Sequence, residues 1–228
     1  ETGMNWWVSN YLERPDGLIW LTAIVFWVIG SIVLHELAHG WAATAFGDPT
    51  PRLSGHLTWN PLVHMGVPSL VMFALVGIAW GAMPVDPTRM RGRYAAALVS
   101  AAGPAMNFVL AALSTLCLGV WTGITGHGLL GTAGLAPHIV ENFTTFFFVG
   151  ASYNVVLMLF NLLPIPPLDG SKILVEVFRS LREPMESQAW QGISTIVFVL
   201  IFFFGGSAFF GLAGTVVTHS AIVITRLF

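Results

Sequence analysis

The chain has 228 residues, of which 55% are hydrophobic and only 9% charged, with a formal net charge of −2. A soluble domain carries roughly 25% charged residues, so this composition excludes an ordinary soluble fold and points to a chain whose main solvent is the bilayer. No basic run is present, which removes nucleic acid as a partner, and the lone Cys117 excludes an intramolecular disulfide framework and a multi-cysteine zinc site.

Residues 1–3 precede Met4 and read as a cloning scar, leaving residues 4–228 as one expected domain. No signal-peptide pattern follows, so the hydrophobic stretches are expected to be permanent spans. The first runs from Gly17 to about Phe46, a helix about 45 Å long that exceeds a ~30 Å hydrocarbon core. Gly47-Asp48-Pro49 ends it. Residues 48–67 are interrupted by Pro49, Pro51, Gly55, Pro61 and Gly66, a pattern that predicts extended, hairpin-like structure. Residues 68–81 are apolar but short, which suits a re-entrant or tilted helix, and 82–94 form a loop with Pro84, Pro87 and three arginines. Further spans are predicted over about Tyr94–Val120, Ile139–Leu163 and Gln188–Phe204. Gly205-Gly206 is expected to break the last, leaving 207–228 as a second span or an interfacial helix. The expected fold is an all-α polytopic membrane protein with four to six transmembrane helices and a short membrane-associated β-hairpin-like segment after the first.

Positive charge sets the orientation. The 121–138 loop has no Lys or Arg, whereas Arg89, Arg91 and Arg93 lie in one loop and Lys172, Arg179 and Arg182 in another. The basic loops are therefore expected on the cytoplasmic side of the cell (inner) membrane. Parity puts the N-terminus outside if 68–81 does not fully cross, and the C-terminal end of the first span then faces the cytoplasm.

That end carries His35-Glu36-Leu37-Ala38-His39, the pattern H-E-x-x-H. On a helix, positions i and i+4 share a face, so two imidazoles can grip one Zn²⁺ at ~2.0–2.1 Å. Glu36 lies beside the first ligand and can reach water next to such an ion, the position of a general base. An ionisable group at membrane depth costs several kcal/mol unless paired or coordinated, so His35, Glu36 and His39 in an apolar helix require a function. A hydrolytic zinc needs a third protein ligand. Most other acidic residues lie in loops or at helix ends, and Asp169 remains, after the breaker run Pro164-Ile165-Pro166-Pro167. Asp169 can equally cap a helix starting near Ser171, and spacing leaves both readings open.

H-E-L-A-H-G (35–40) paired with N-L-L-P-I-P-P-L-D-G (161–170) closely resembles the site-2 protease family of intramembrane zinc metalloproteases. Gly103-Pro104-Ala105-Met106-Asn107 looks like the family's GP-x-x-N element, with Gly103, Pro104 and Asn107 structural residues near the site. Residues 47–66 and 80–87 resemble its small bacterial branch, the one without PDZ and CBS modules. The resemblance implies that Asp169 is the third zinc ligand. It also implies that Asn161 holds substrate or the oxyanion, and that single-pass membrane proteins, anti-sigma factors or similar regulators among them, are cut within or near their transmembrane helix. His64 ends the branch's N-P-L-V-H stretch and is a candidate for lining the cleft and binding substrate or a second metal. Aspartyl and serine intramembrane chemistries fit badly, since neither G-x-G-D nor G-x-S-G occurs. The rival reading is a non-proteolytic membrane metal-binding protein or transporter, which would place polar residues along a through-path.

Overall fold

A computed structural model of the chain describes residues 6–129 and 134–228; the expected scar at residues 1–3 lies outside them. In chain order the helices are α1 (Trp7–Leu12), α2 (Gly17–Ala45), α3 (Thr50–Leu53), α4 (Pro61–Val76), α5 (Ala95–Gly126), α6 (Pro137–Asn161), α7 (Asp169–Val177), α8 (Arg182–Glu186) and α9 (Gln188–Thr225). Helices α2, α5, α6 and α9 are long and apolar enough to cross a membrane. The protein is multi-pass and all-α, with no strand among the described residues.

The central helix is α5, which packs against α2, α6, α7 and α9. Lipid tails are as apolar as the side chains, so the helices associate through close backbone approach rather than hydrophobic expulsion. Ala111, Ala151, Ala213 and Ala221 supply that approach where α5, α6 and α9 meet. Gly119 and Gly123 receive Ile224 and Phe228 directly, and the Thr122 and Thr225 hydroxyls lie 2.7 Å apart across the α5–α9 seam. Cys117 sits exposed on the same bundle.

The hairpin-like segment expected within 48–67 is absent. Asp48 Oδ1 accepts from Thr50 N–H, and Pro51 fits the first turn of a helix, so the chain closes into α3 instead. Residues 54–60 follow as bends. Asn60 then caps α4, its Oδ1 accepting from Leu62 N–H. Gly66, at φ 67° and ψ 165°, breaks α4 just before Pro68. The remaining stretch, 67–76, rises about 15 Å, half of a ~30 Å core, and Gly77 ends it in the left-handed conformation. The short apolar segment therefore does not cross.

From Gly77 the chain returns without regular structure along α2. Ser69 Oγ donates to Trp80 O and accepts from Trp80 N–H, and Ala82 N–H donates to His64 O. Met83 lies against Gly40. This strap over 78–86 is fastened at its far end, where Asp86 N–H donates to Asp48 Oδ2 at 2.7 Å and Arg91 N–H to Phe46 O.

The last helix also differs from expectation. Gly205 and Gly206 continue α9 unbroken through its 38 residues, about 57 Å. Leaving the helix in lipid would expose unpaired backbone groups, so glycine there does not break it. At the other end of the chain, Trp6 and Trp7 both donate to Ala74 O, tying α1 to the tip of α4. Arg14 pairs with Asp16 and lies over Tyr11 and Trp20, an arrangement suited to the membrane–water boundary.

Fully buried Asp48 joins the end of α2 to the strap. Burial pushes its carboxyl up, but the N–H groups of Asp86 and Thr50 outweigh this and hold it below the usual carboxylate range. Its contribution is therefore fully present above the unfolded value of ~3.9 and is lost as pH falls through the lower folded value. Asp48→Ala should lower stability by about 1–3 kcal/mol, since it leaves two N–H donors without their partner. Thermal unfolding in detergent at neutral pH checks this, and the difference from wild type should shrink toward acid pH.

Candidate metal centre

The i, i+4 spacing on α2 brings the His35 and His39 Nε2 atoms to 3.0 Å from each other. Asp169 Oδ2 lies 3.1 Å from the first and 3.2 Å from the second. All three residues are buried. Ligand atoms around a tetrahedral zinc at ~2.0–2.1 Å stand about 3.3 Å apart, so the three atoms have the separations that one ion requires and form a potential metal-binding group.

Each imidazole is held through its other nitrogen. His39 Nδ1 lies 2.7 Å from the carbonyl oxygen of Val99. A carbonyl can only accept, so Nδ1 carries the proton and Nε2 keeps its lone pair for a metal. His35 Nδ1 lies 2.6 Å from Asn107 Oδ1. Pro104 occupies the α5 interior between these two contacts.

Gly103 faces both imidazoles. A side-chain carbon there would stand 2.4 Å from Nε2 of His35 and 2.4 Å from Nε2 of His39. The volume that a metal would fill is thus the volume that glycine leaves open. The sequence marked Gly103 as a structural residue near the site; its neighbour is the centre itself.

Asp169 arrives from the opposite side on α7. The helix begins at Asp169 with Leu168 as its N-cap and no side-chain capping bond, so the carboxylate is free of the capping role that spacing had left open. Its second oxygen, Oδ1, takes Lys172 Nζ at 3.0 Å. Lys172 entered the sequence reading only as a loop charge; an i, i+3 relation to the acid was the signal for it. Gly170 works by close approach, because a side chain there would meet Leu162 O at 2.2 Å. It lets the Pro164–Pro167 turn fold back onto the end of α6.

Glu36 is buried beside the three converging residues, and no hydrogen bond holds its carboxylate among the described residues. The strap covers it: a side chain at Gly81 would meet Glu36 Oε1 at 2.6 Å. Sequence spacing could not show this cover, because the strap has no periodicity.

Two sequence candidates stand apart from the convergence. Asn161 ends α6 and donates from Nδ2 to Leu157 O at 3.0 Å. His64 is buried on α4, with Nε2 2.7 Å from Thr58 O and Nδ1 unpartnered. Its ring meets that of His56 edge to face. Asn107, by contrast, reaches His35 directly, and its Nδ2 donates to Asn154 Oδ1. Asn154 was not foreseen.

The family model of peptidase family M50 matches residues 23–127 and 122–205. A Bacillus subtilis (strain 168) protein named "Putative zinc metalloprotease YwhC" is 34% identical over 198 residues, covering 86% of this chain and 85% of that protein. "Putative zinc metalloprotease Rip2" of Mycolicibacterium smegmatis is 32% identical over 186 residues, 72% of this chain and 61% of that protein. The protein of the same name from Mycobacterium tuberculosis (H37Rv) is 29% identical over 210 residues, 86% of this chain and 73% of that one. No solved structure matches.

Gly103→Ala should abolish metal binding while the bundle still folds. Elemental analysis of purified protein should show zinc falling from near stoichiometric to background, with helical content unchanged by circular dichroism.

Proposed function

The chain belongs to peptidase family M50, whose membership makes it an intramembrane zinc metalloprotease, and from this premise we propose how its residues divide the work. His35, His39 and Asp169 hold the zinc, and Glu36 is the general base. The observation that carries this reading is the convergence of two Nε2 atoms and one carboxylate oxygen around space kept open by Gly103. Zinc bound there supplies a Lewis acid that polarises the scissile carbonyl and makes water acidic enough to lose a proton near neutral pH.

Glu36 takes the proton from the attacking water and returns it to the leaving amine. Its carboxylate suits this task because no donor among the described residues competes for it. Lys172 offsets part of the negative charge of Asp169 from the outer side. Val99 and Asn107 keep the imidazoles aimed.

The substrates are single-pass membrane proteins, with anti-sigma factors and similar regulators as the candidate class. A helical substrate hides its carbonyls in its own hydrogen bonds and must unwind before cleavage. The hairpin-like segment expected within 48–67 is not formed, but the strap over 78–86 lies against Glu36 and offers main-chain groups for an unwound segment to pair with. A substrate role for Asn161 requires its amide to leave Leu157 O. The basic loops support placing the centre toward the cytoplasmic side of the inner membrane.

Glu36→Gln should retain zinc and lose cleavage of a single-pass substrate by at least ~10²-fold, the usual scale of general acid–base catalysis. Asp169→Asn should lose zinc. A Glu36→Gln protein that cleaves at the wild-type rate with zinc bound overturns the assignment, as does zinc transport into liposomes by a chain that cleaves nothing. Gly81→Val should lift the strap from Glu36, lowering kcat/KM with zinc content unchanged; steady-state kinetics paired with metal analysis checks it.

A further inference from the structure

A buried chain of amides runs from the centre into α6. His35 Nδ1 faces Asn107 Oδ1 at 2.6 Å, Asn107 Nδ2 donates to Asn154 Oδ1 at 2.9 Å, and Asn154 Nδ2 donates to Gly150 O at 2.9 Å. Asn107 and Asn154 are both fully buried, so no water competes for these groups. Each carboxamide can in principle turn over, exchanging its oxygen and nitrogen. Only one group in the chain has a polarity that cannot change, and that is the main-chain carbonyl of Gly150.

Its polarity propagates. A carbonyl oxygen accepts, so Asn154 must present its NH₂ to Gly150. The Asn154 oxygen then faces Asn107, which must answer with its own NH₂. The Asn107 oxygen is left facing His35, which must present N–H at Nδ1. Nε2 then holds the lone pair, and Nε2 is the atom directed at His39 and Asp169. Turning either amide would set two donors or two acceptors against each other in a dry interior, at the full cost of unsatisfied buried groups.

We propose that Asn154 is a positioning residue of this enzyme: it carries the polarity of the Gly150 carbonyl through Asn107 and so fixes His35 in its metal-ligating tautomer. His39 reaches the same state in one step, through Val99 O. His35 faces a side chain rather than a backbone carbonyl, so the fixed polarity is imported from the next helix. Trp27 closes the far end, packing its indole against Gly150 and donating to Phe146 O. The inference rests on His35 offering Nε2 to the metal, but its first readout needs no metal.

Nitrogen NMR of histidine-labelled Asp169→Ala protein, metal-free and without the carboxylate that faces Nε2 at 3.1 Å, at a pH where the imidazoles are neutral, reads the tautomer of His35. In this background the proton should sit on Nδ1. Asn154→Leu should shift His35 toward the Nε2–H form and, with Asp169 in place, weaken zinc binding, measured by chelator competition, roughly 10–100-fold, the usual effect of losing a group behind a metal-bound histidine. Adding Asn107→Asp to Asn154→Leu should restore both readouts, because a carboxylate can only accept and forces Nδ1–H without the relay. A merely structural role for Asn154 would not be rescued this way. If Asn154→Leu does not fold, Asn154→Ala removes the acceptor toward Asn107 with a smaller side chain and should shift the tautomer in the same direction. An Nδ1 proton that persists in Asn154→Leu, or a double variant that fails to recover it, overturns the relay. The expected tautomers without zinc binding would uphold the relay and overturn the ligand assignment instead.

Discussion

Two imidazoles and a carboxylate set in an apolar helix, with a second carboxylate buried against them, must each find a partner, because the bilayer offers none and an unsatisfied ionisable group there costs several kcal/mol. The centre meets that requirement group by group. Each Nδ1 has an oxygen and the outer oxygen of Asp169 has Lys172, while the two Nε2 atoms and the inner oxygen of Asp169, acceptors all, converge where one cation would serve them together. Among the described residues none makes a hydrogen bond to the Glu36 carboxylate, and it is the group whose proposed task is to bind and release a proton.

Helix α5 organises most of this with one face. Val99, Gly103 and Asn107 follow one another at intervals of four, so they stack along a single stripe. The stripe presents a carbonyl, an empty space and a carboxamide in succession. The first holds His39, the second leaves room for the ion, and the third holds His35. A short stretch of one helix thus sets the orientation of both histidines and the volume between them. The cost falls on α5 itself, whose interior must accommodate Pro104.

How much of this was legible in the sequence depended on periodicity. The H-E-x-x-H spacing is helical, so the approach of His35 to His39 could be read directly, as could the long apolar spans. Asp169 was nominated by elimination and by the family motif, yet whether it capped a helix or faced the histidines depended on a fold-back that no periodicity records. The strap over 78–86 was invisible for the same reason, being set by tertiary bonds to His64, Ser69 and Asp48, whereas the expected hairpin gave way to local bonds from Thr50 to Asp48 and from Leu62 to Asn60. Asn154 looked like any polar residue in a span, because its importance lies in which way its amide faces. Gly205-Gly206 misled in the opposite direction, since a breaker signal calibrated on soluble chains loses its force where the solvent cannot pair with an opened backbone.

Helix α4 carries a consequence of a different kind. Beyond its break it rises through only about half of a hydrocarbon core and then turns back, so at this place the protein matches one leaflet and not the other. A segment shorter than the bilayer is accommodated by local thinning. The membrane beside α4 is therefore expected to be pinched, shortening the distance that water must travel to reach a hydrolytic centre and disfavouring a full-length helix as a neighbour. A transmembrane helix drifting into this zone would find its hydrophobic length excessive before it met any catalytic residue.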